Sequence, residues 1–160
     1  MKKLIWAAVI CSVFLTGCDQ SRVYDQNVDF EDRYWLVSEK PEFEFTIEQP
    51  ADKYTIYGNV RNTISYPYAR IFFTYYLQDS AGNELEKKLV TQYLFDNKTG
   101  KPFGTSGLGD IYDHRFELLK DYQFATRGKY RIKLEQMMRM DTLKGILAVG
   151  VRVENNSLPK

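Results

Sequence analysis

The sequence predicts an all-β protein, a single antiparallel β-sandwich of about seven to eight strands that follows an export segment and a short tether. Three observations predict it. Apolar residues recur at every second position in short runs, clusters of Gly, Pro, Asn and Asp separate those runs, and no long stretch carries the 3.6-residue period of an amphipathic helix. The aromatic content of 15% suits pleated, two-sheet packing.

The chain of 160 residues begins Met1-Lys2-Lys3, runs apolar over residues 4–15 and closes that run with Leu15-Thr16-Gly17-Cys18. A charged start, a short apolar core and a small-residue end form an export signal, and the run falls short of the roughly 20 residues that span a bilayer. A cysteine directly after Leu-Thr-Gly makes it a lipoprotein signal: a thioether to diacylglycerol forms on Cys18, and cleavage removes residues 1–17. Residues 18–34 read as a lipidated N-terminus and tether that becomes ordered as it nears the domain of residues 35–160, with Trp35 docking it.

The strands follow in order. Phe43, Phe45 and Ile47 alternate with acids and Thr46, and Tyr54, Ile56 and Val60 alternate with polar neighbours, as half-buried strands do. Residues 71–77 are apolar or aromatic on both faces, so this strand is either covered on both sides or offers Phe72 and Tyr76 to a partner. Asp79-Ser80-Ala81-Gly82-Asn83 turns the chain into a returning strand over residues 85–94. A long Gly- and Pro-containing loop reaches Gly109. Residues 111–119 then alternate Tyr112, Phe116 and Leu118 with Asp113, Arg115 and Glu117, and Tyr130, Ile132 and Leu134 alternate with basic residues. The last strand carries Leu147, Val149, Val151 and Val153 on one face and small Ala148 and Gly150 on the other, before Arg152 and Glu154 turn polar.

Cys11 leaves with the signal and Cys18 is consumed by lipid, so the mature chain of 143 residues has no disulfide and is long enough to build its own core. Loss of Lys2 and Lys3 leaves 20 basic against 21 acidic residues. That balance gives no electrostatic basis for binding nucleic acid, and the membrane is held by acyl chains rather than by a basic surface.

Reaction chemistry finds little support. The single histidine, His114, lies on the apolar face of its strand without an evident acid and nucleophile, so neither a Ser-His-Asp nor a Cys-His site can be assembled. The glycines at 100, 104, 107 and 109 lack the Gly-Lys-Ser/Thr ending of a phosphate loop, and Asp96, Asn97 and Asp110 lack the terminal Glu of a twelve-residue calcium loop. No catalytic residue, metal or cofactor is therefore expected. A hydrolase would need two converging carboxylates. Tyr66-Pro67-Tyr68 with Phe72 and Tyr76 is the candidate partner-binding region, because aromatics beside a proline turn serve protein interfaces and also stack on sugars.

Several segments resemble the gliding-motility lipoprotein GldH family of Bacteroidota. They are the Leu15–Cys18 motif, Tyr24-Asp25, Tyr66-Pro67-Tyr68 after Arg61-Asn62, residues 107–113, and above all residues 128–139 with Leu143, Gly145-Ile146 and Gly150 behind them. Ala69-Arg70 stands where Asn-Leu is expected, and Phe103 where a Trp is expected. The resemblance implies a non-enzymatic accessory lipoprotein of the cell envelope that contacts other gliding or type IX secretion lipoproteins and envelope proteins. It supplies no catalytic residue. It leads to the expectation of a lipid-anchored location, in the outer membrane in preference to the inner. The alternative is a surface lipoprotein that binds glycan through Tyr66, Tyr68 and Phe72.

Overall fold

The computed structural model describes residues 19–159. Cys18 and the export segment lie outside the described residues. Eleven strands and no helix organise the described part: β1 Arg22–Asp29, β2 Tyr34–Leu36, β3 Glu42–Ile47, β4 Tyr54–Thr63, β5 Arg70–Asp79, β6 Glu84–Tyr93, β7 Thr105–Ser106, β8 Ile111–Tyr122, β9 Gly128–Gln136, β10 Thr142–Lys144 and β11 Ile146–Asn155. The seven strands expected from alternation are β3, β4, β5, β6, β8, β9 and β11. All pairings are antiparallel.

One sheet has the order β1-β11-β4-β8-β7, a second has β3-β9-β5-β6, and β2 pairs with β10 alone. The inner faces of the two large sheets share one core. Ile56, Val60, Val149, Val151 and Val153 come from the first, and Phe43, Phe45, Phe73, Tyr75, Ile132 and Leu134 from the second. Each such side chain withdrawn from water stabilises the fold by roughly 1.5–3 kcal/mol before entropy is counted.

Order begins earlier than the tether reading expects. Residues 22–29 form β1, which pairs with β11 from Arg22 opposite Glu154 to Asp29 opposite Ala148. This is an edge strand held by its backbone, and most of its side chains stay exposed, so no apolar alternation marks it in the sequence. Trp35 does dock the following segment. It is fully buried, stacks on Phe30 at 5.8 Å and donates its indole N–H to the carbonyl of Glu39 at 2.8 Å.

Gly150 explains how β1 sits so close. A Cβ there would strike the Asn27 side chain and come within 2.6 Å of the Gln26 carbonyl.

The strands run up and down, so the connections gather at two poles. At one pole Tyr54 lies opposite both Asn155 and Tyr122, and Ile47 opposite Gly128. Ring contacts of Phe124 with Tyr54 and Tyr130, at 5.4 and 4.5 Å, tie the two sheets there. At the other pole lie the β4–β5 turn, the loop after β6 and the segment after β9.

Candidate functional site

The second pole carries the groove. β9 ends at Gln136, whose carboxamide is almost fully buried and turns back to hold the next residues. It accepts from the Met138 amide at 2.9 Å and donates to the Met140 carbonyl at 2.9 Å. The Met137 amide donates to the Phe72 carbonyl at 2.8 Å, which lays this segment beside the start of β5. The result is a groove of about 560 Å³ lined by Tyr68, Arg70, Phe72, Met137, Met138, Arg139 and Met140. The chain has four methionines, and every one except Met1 lies here.

The four aromatics singled out from the sequence fare differently. Tyr66 is core: it is 5% exposed, stacks on Phe95 at 6.4 Å, and donates its hydroxyl to the Arg70 carbonyl at 3.1 Å. Burial, with Tyr68 adding to it, pushes its phenol well above the usual range. Tyr68 meets Tyr66 edge to face at 5.6 Å and donates to the Met140 sulfur at 3.2 Å. It stands between the methionine groove and a second hollow lined by Ile64, Pro67, Phe95 and Asn97. Phe72 forms the groove wall, with the Arg70 guanidinium 5.0 Å from its ring centre and 5.9 Å from that of Tyr93.

Tyr76 lies further along β5, outside the groove. It donates to Glu135 at 2.7 Å while Lys133 and Lys87 sit 4.5 and 5.0 Å from its ring centre. The hydrogen bond to Glu135, followed by burial, pushes its phenol up to about 12.

Arg70 and Arg139 have no carboxylate within ion-pair distance among the described residues, unlike Lys40, Arg61, Lys129 and Arg131, which do. The groove therefore combines soft, adaptable sulfur and aromatic surface with two unneutralised guanidinium groups. Methionine, tyrosine and arginine are the residue types enriched at protein interfaces.

A more polar groove of about 370 Å³ lies on the five-stranded sheet, lined by Asn27, Asn59, Arg61, Thr105, Asp113, His114, Arg115 and Ala148. Both of its arginines have partners. Arg61 donates to Asp113 at 2.7 Å and Arg115 to Asn59 at 3.0 Å, leaving Asp113 as the single carboxylate of the lining. His114 is buried, its Nε2 has no hydrogen-bond partner, and Gly104 lies against it. Burial pulls its pKa down against the opposing charge of Asp113. The Asp96 carboxylate is turned onto its own loop, accepting from the amides of Thr99 and Lys98 at 2.7 and 2.9 Å.

The family model for the GldH lipoprotein matches residues 22–153, which takes in every strand from β1 to all but the end of β11. The chain belongs to the GldH lipoprotein family. It is 25% identical over 153 residues to the gliding motility lipoprotein GldH of Flavobacterium johnsoniae, covering 91% of this chain and 92% of that one. Among solved structures, the infectious bursal disease virus Gx strain is similar at a TM-score of 0.41 and 15% identity, over 92% of this chain and 36% of that chain. Dimeric latent PorU from Porphyromonas gingivalis is similar at a TM-score of 0.36 and 9% identity, over 82% and 13%. The chain spans about a third and about an eighth of those two structures.

Within the GldH block of residues 128–139, the alternating part is β9 and the end of the block is the methionine segment. Sequence reasoning missed Arg70, Met137, Met138, Arg139 and Met140 as site residues. The available signal was the confinement of every methionine but Met1 to the short stretch 137–140.

Proposed function

We propose that this GldH-family chain is a non-enzymatic adaptor of the envelope, tethered by lipid on Cys18, that serves gliding motility and type IX secretion-associated machinery by gripping another envelope protein. The methionine groove carries this reading. Its occupant is a protein segment that offers apolar side chains to Met137, Met138, Phe72 and Tyr68 and a carboxylate to Arg70 or Arg139. Such a groove suits protein better than glycan. A sugar platform calls for a flat exposed ring flanked by carboxamides or acids, whereas Tyr68 is packed edge-on against Tyr66 and its flanks are sulfur and guanidinium. The outer membrane is the proposed location.

The test replaces Tyr68 and Phe72 by Ala, one at a time. Interface aromatics typically cost about 2 kcal/mol or more of binding when truncated. Co-purification of envelope partners and spreading of cells on agar should both fall while the isolated domain stays folded. Unchanged co-purification and unchanged spreading would refute the groove as the binding site.

A further inference from the structure

The N-terminal residues do not leave the domain as a free strand end. The Ser21 carbonyl accepts from the Asn155 amide at 2.7 Å, and the Ser21 side chain is buried and donates to Asp19 at 2.6 Å. Asp19 in turn pairs with Arg152. Arg152 is one of the few buried charges, its side chain 9% exposed, and it also donates to Asp25 at 2.8 Å and Glu154 at 2.6 Å. Burial opposes its charge, but the hydrogen bonds to Asp25, Glu154 and Asp19 outweigh that and hold the guanidinium protonated. Asp19, which follows Cys18 in the sequence, is therefore itself held on the sandwich.

This clamp sits at the pole where β11 ends and β1 begins, and the methionine groove sits at the other. β11, ten residues long, runs from one pole to the other. At about 3.3 Å per residue it separates the anchor from the groove pole by about 30 Å.

We infer that the domain stands upright on its acyl anchor without a tether, and that the Arg152 clamp presents the methionine groove away from the bilayer. The partner is then a protein segment displayed about 30 Å from the lipid headgroups, rather than lipid or the membrane-embedded part of a neighbour. This rests on acylation at Cys18 and on the groove as the binding site.

The chain has two cysteines, Cys11 and Cys18, so once residues 1–17 are cleaved off and Cys18 is acylated one introduced cysteine is the only free thiol. Ala81→Cys places a fluorophore in the β5–β6 turn at the anchor pole, and Leu108→Cys places one in the loop at the groove pole, where Leu108 is 92% exposed. The acylated full-length mature protein is floated on phosphatidylethanolamine/phosphatidylglycerol vesicles containing a nitroxide-headgroup lipid. Quenching should be several-fold stronger at position 81 than at 108. A short Gly-Ser insert between Cys18 and Asp19, which leaves the clamp and fold intact, should level the two. Equal quenching on floated vesicles without the insert, or stronger quenching at 108, would overturn the orientation alone. Failure to float would overturn the anchor and the orientation together, and neither result bears on whether the groove binds protein.

Discussion

Gln136→Leu is the sharpest test of how the groove is built. The substitution keeps nearly the same volume in the core but removes both hydrogen bonds of the carboxamide, the one it accepts from the Met138 amide and the one it donates to the Met140 carbonyl. Each such bond contributes about 1 kcal/mol net, and both backbone groups belong to half-buried residues that water can reach, so the loss should be about 2 kcal/mol rather than the larger penalty of sealed, unpaired groups. For a domain of this size that lowers the melting temperature by about 6 °C. The readouts are thermal melting of the soluble fragment from Asp19 and partner binding at a temperature where the variant is fully folded. Binding should weaken there as well, because the methionine segment is no longer pre-organised. Unchanged melting would refute the bracket; a full loss of stability with unchanged binding would refute its link to the site.

Other outcomes follow from single features. Tyr66→Ala should destabilise by about 3–5 kcal/mol as a core truncation, whereas Tyr68→Phe should leave melting nearly unchanged, and equal losses at the two would contradict their different placement. Gly150→Ala should cost about 1–3 kcal/mol by forcing β1 from β11, read by melting and by hydrogen exchange of β1 amides. Asp19 is held below its ordinary value of 3.8 by hydrogen bonds from Ser21 and Arg152. Its contribution is therefore complete above that value and lost as pH falls through the lowered folded one, and Asp19→Asn should remove that part of the acid slope. His114 has a folded pKa below 6.5 because of burial. Stability should fall as pH drops from 6.5 towards that folded value, where the unfolded chain takes a proton and the folded one does not, and His114→Phe should flatten the slope in that window.

Period-two alternation made β3, β4, β8 and β9 legible, because in each one face is covered by the opposite sheet and the other meets water. β1 escaped detection for the converse reason: at the sheet edge its pairing is with the β11 backbone, and its exposed side chains leave no pattern. Arg152 and Glu154 looked like a polar strand end, yet they lie within β11 and are buried. What buries them comes from residues 19–25, more than a hundred positions away, and alternation records only the strand's own faces. The proline turn was recognised as aromatic, but whether Tyr66 or Tyr68 turned inward depended on Phe95 in a distant loop. The groove needed Gln136 to fold back on its own strand end, a tertiary event for which residues 137–140 carry only a compositional trace.

The central claim, a groove that grips an envelope protein, is tested most directly by site-specific photo-crosslinking in intact cells. A photoreactive residue at position 137 should give a discrete adduct with one envelope protein. The adduct should be lost when Arg70→Glu and Arg139→Glu are introduced together, and it should be absent from position 117, which is exposed on the opposite sheet. The same adduct from both positions, or persistence through both charge reversals, would contradict the account.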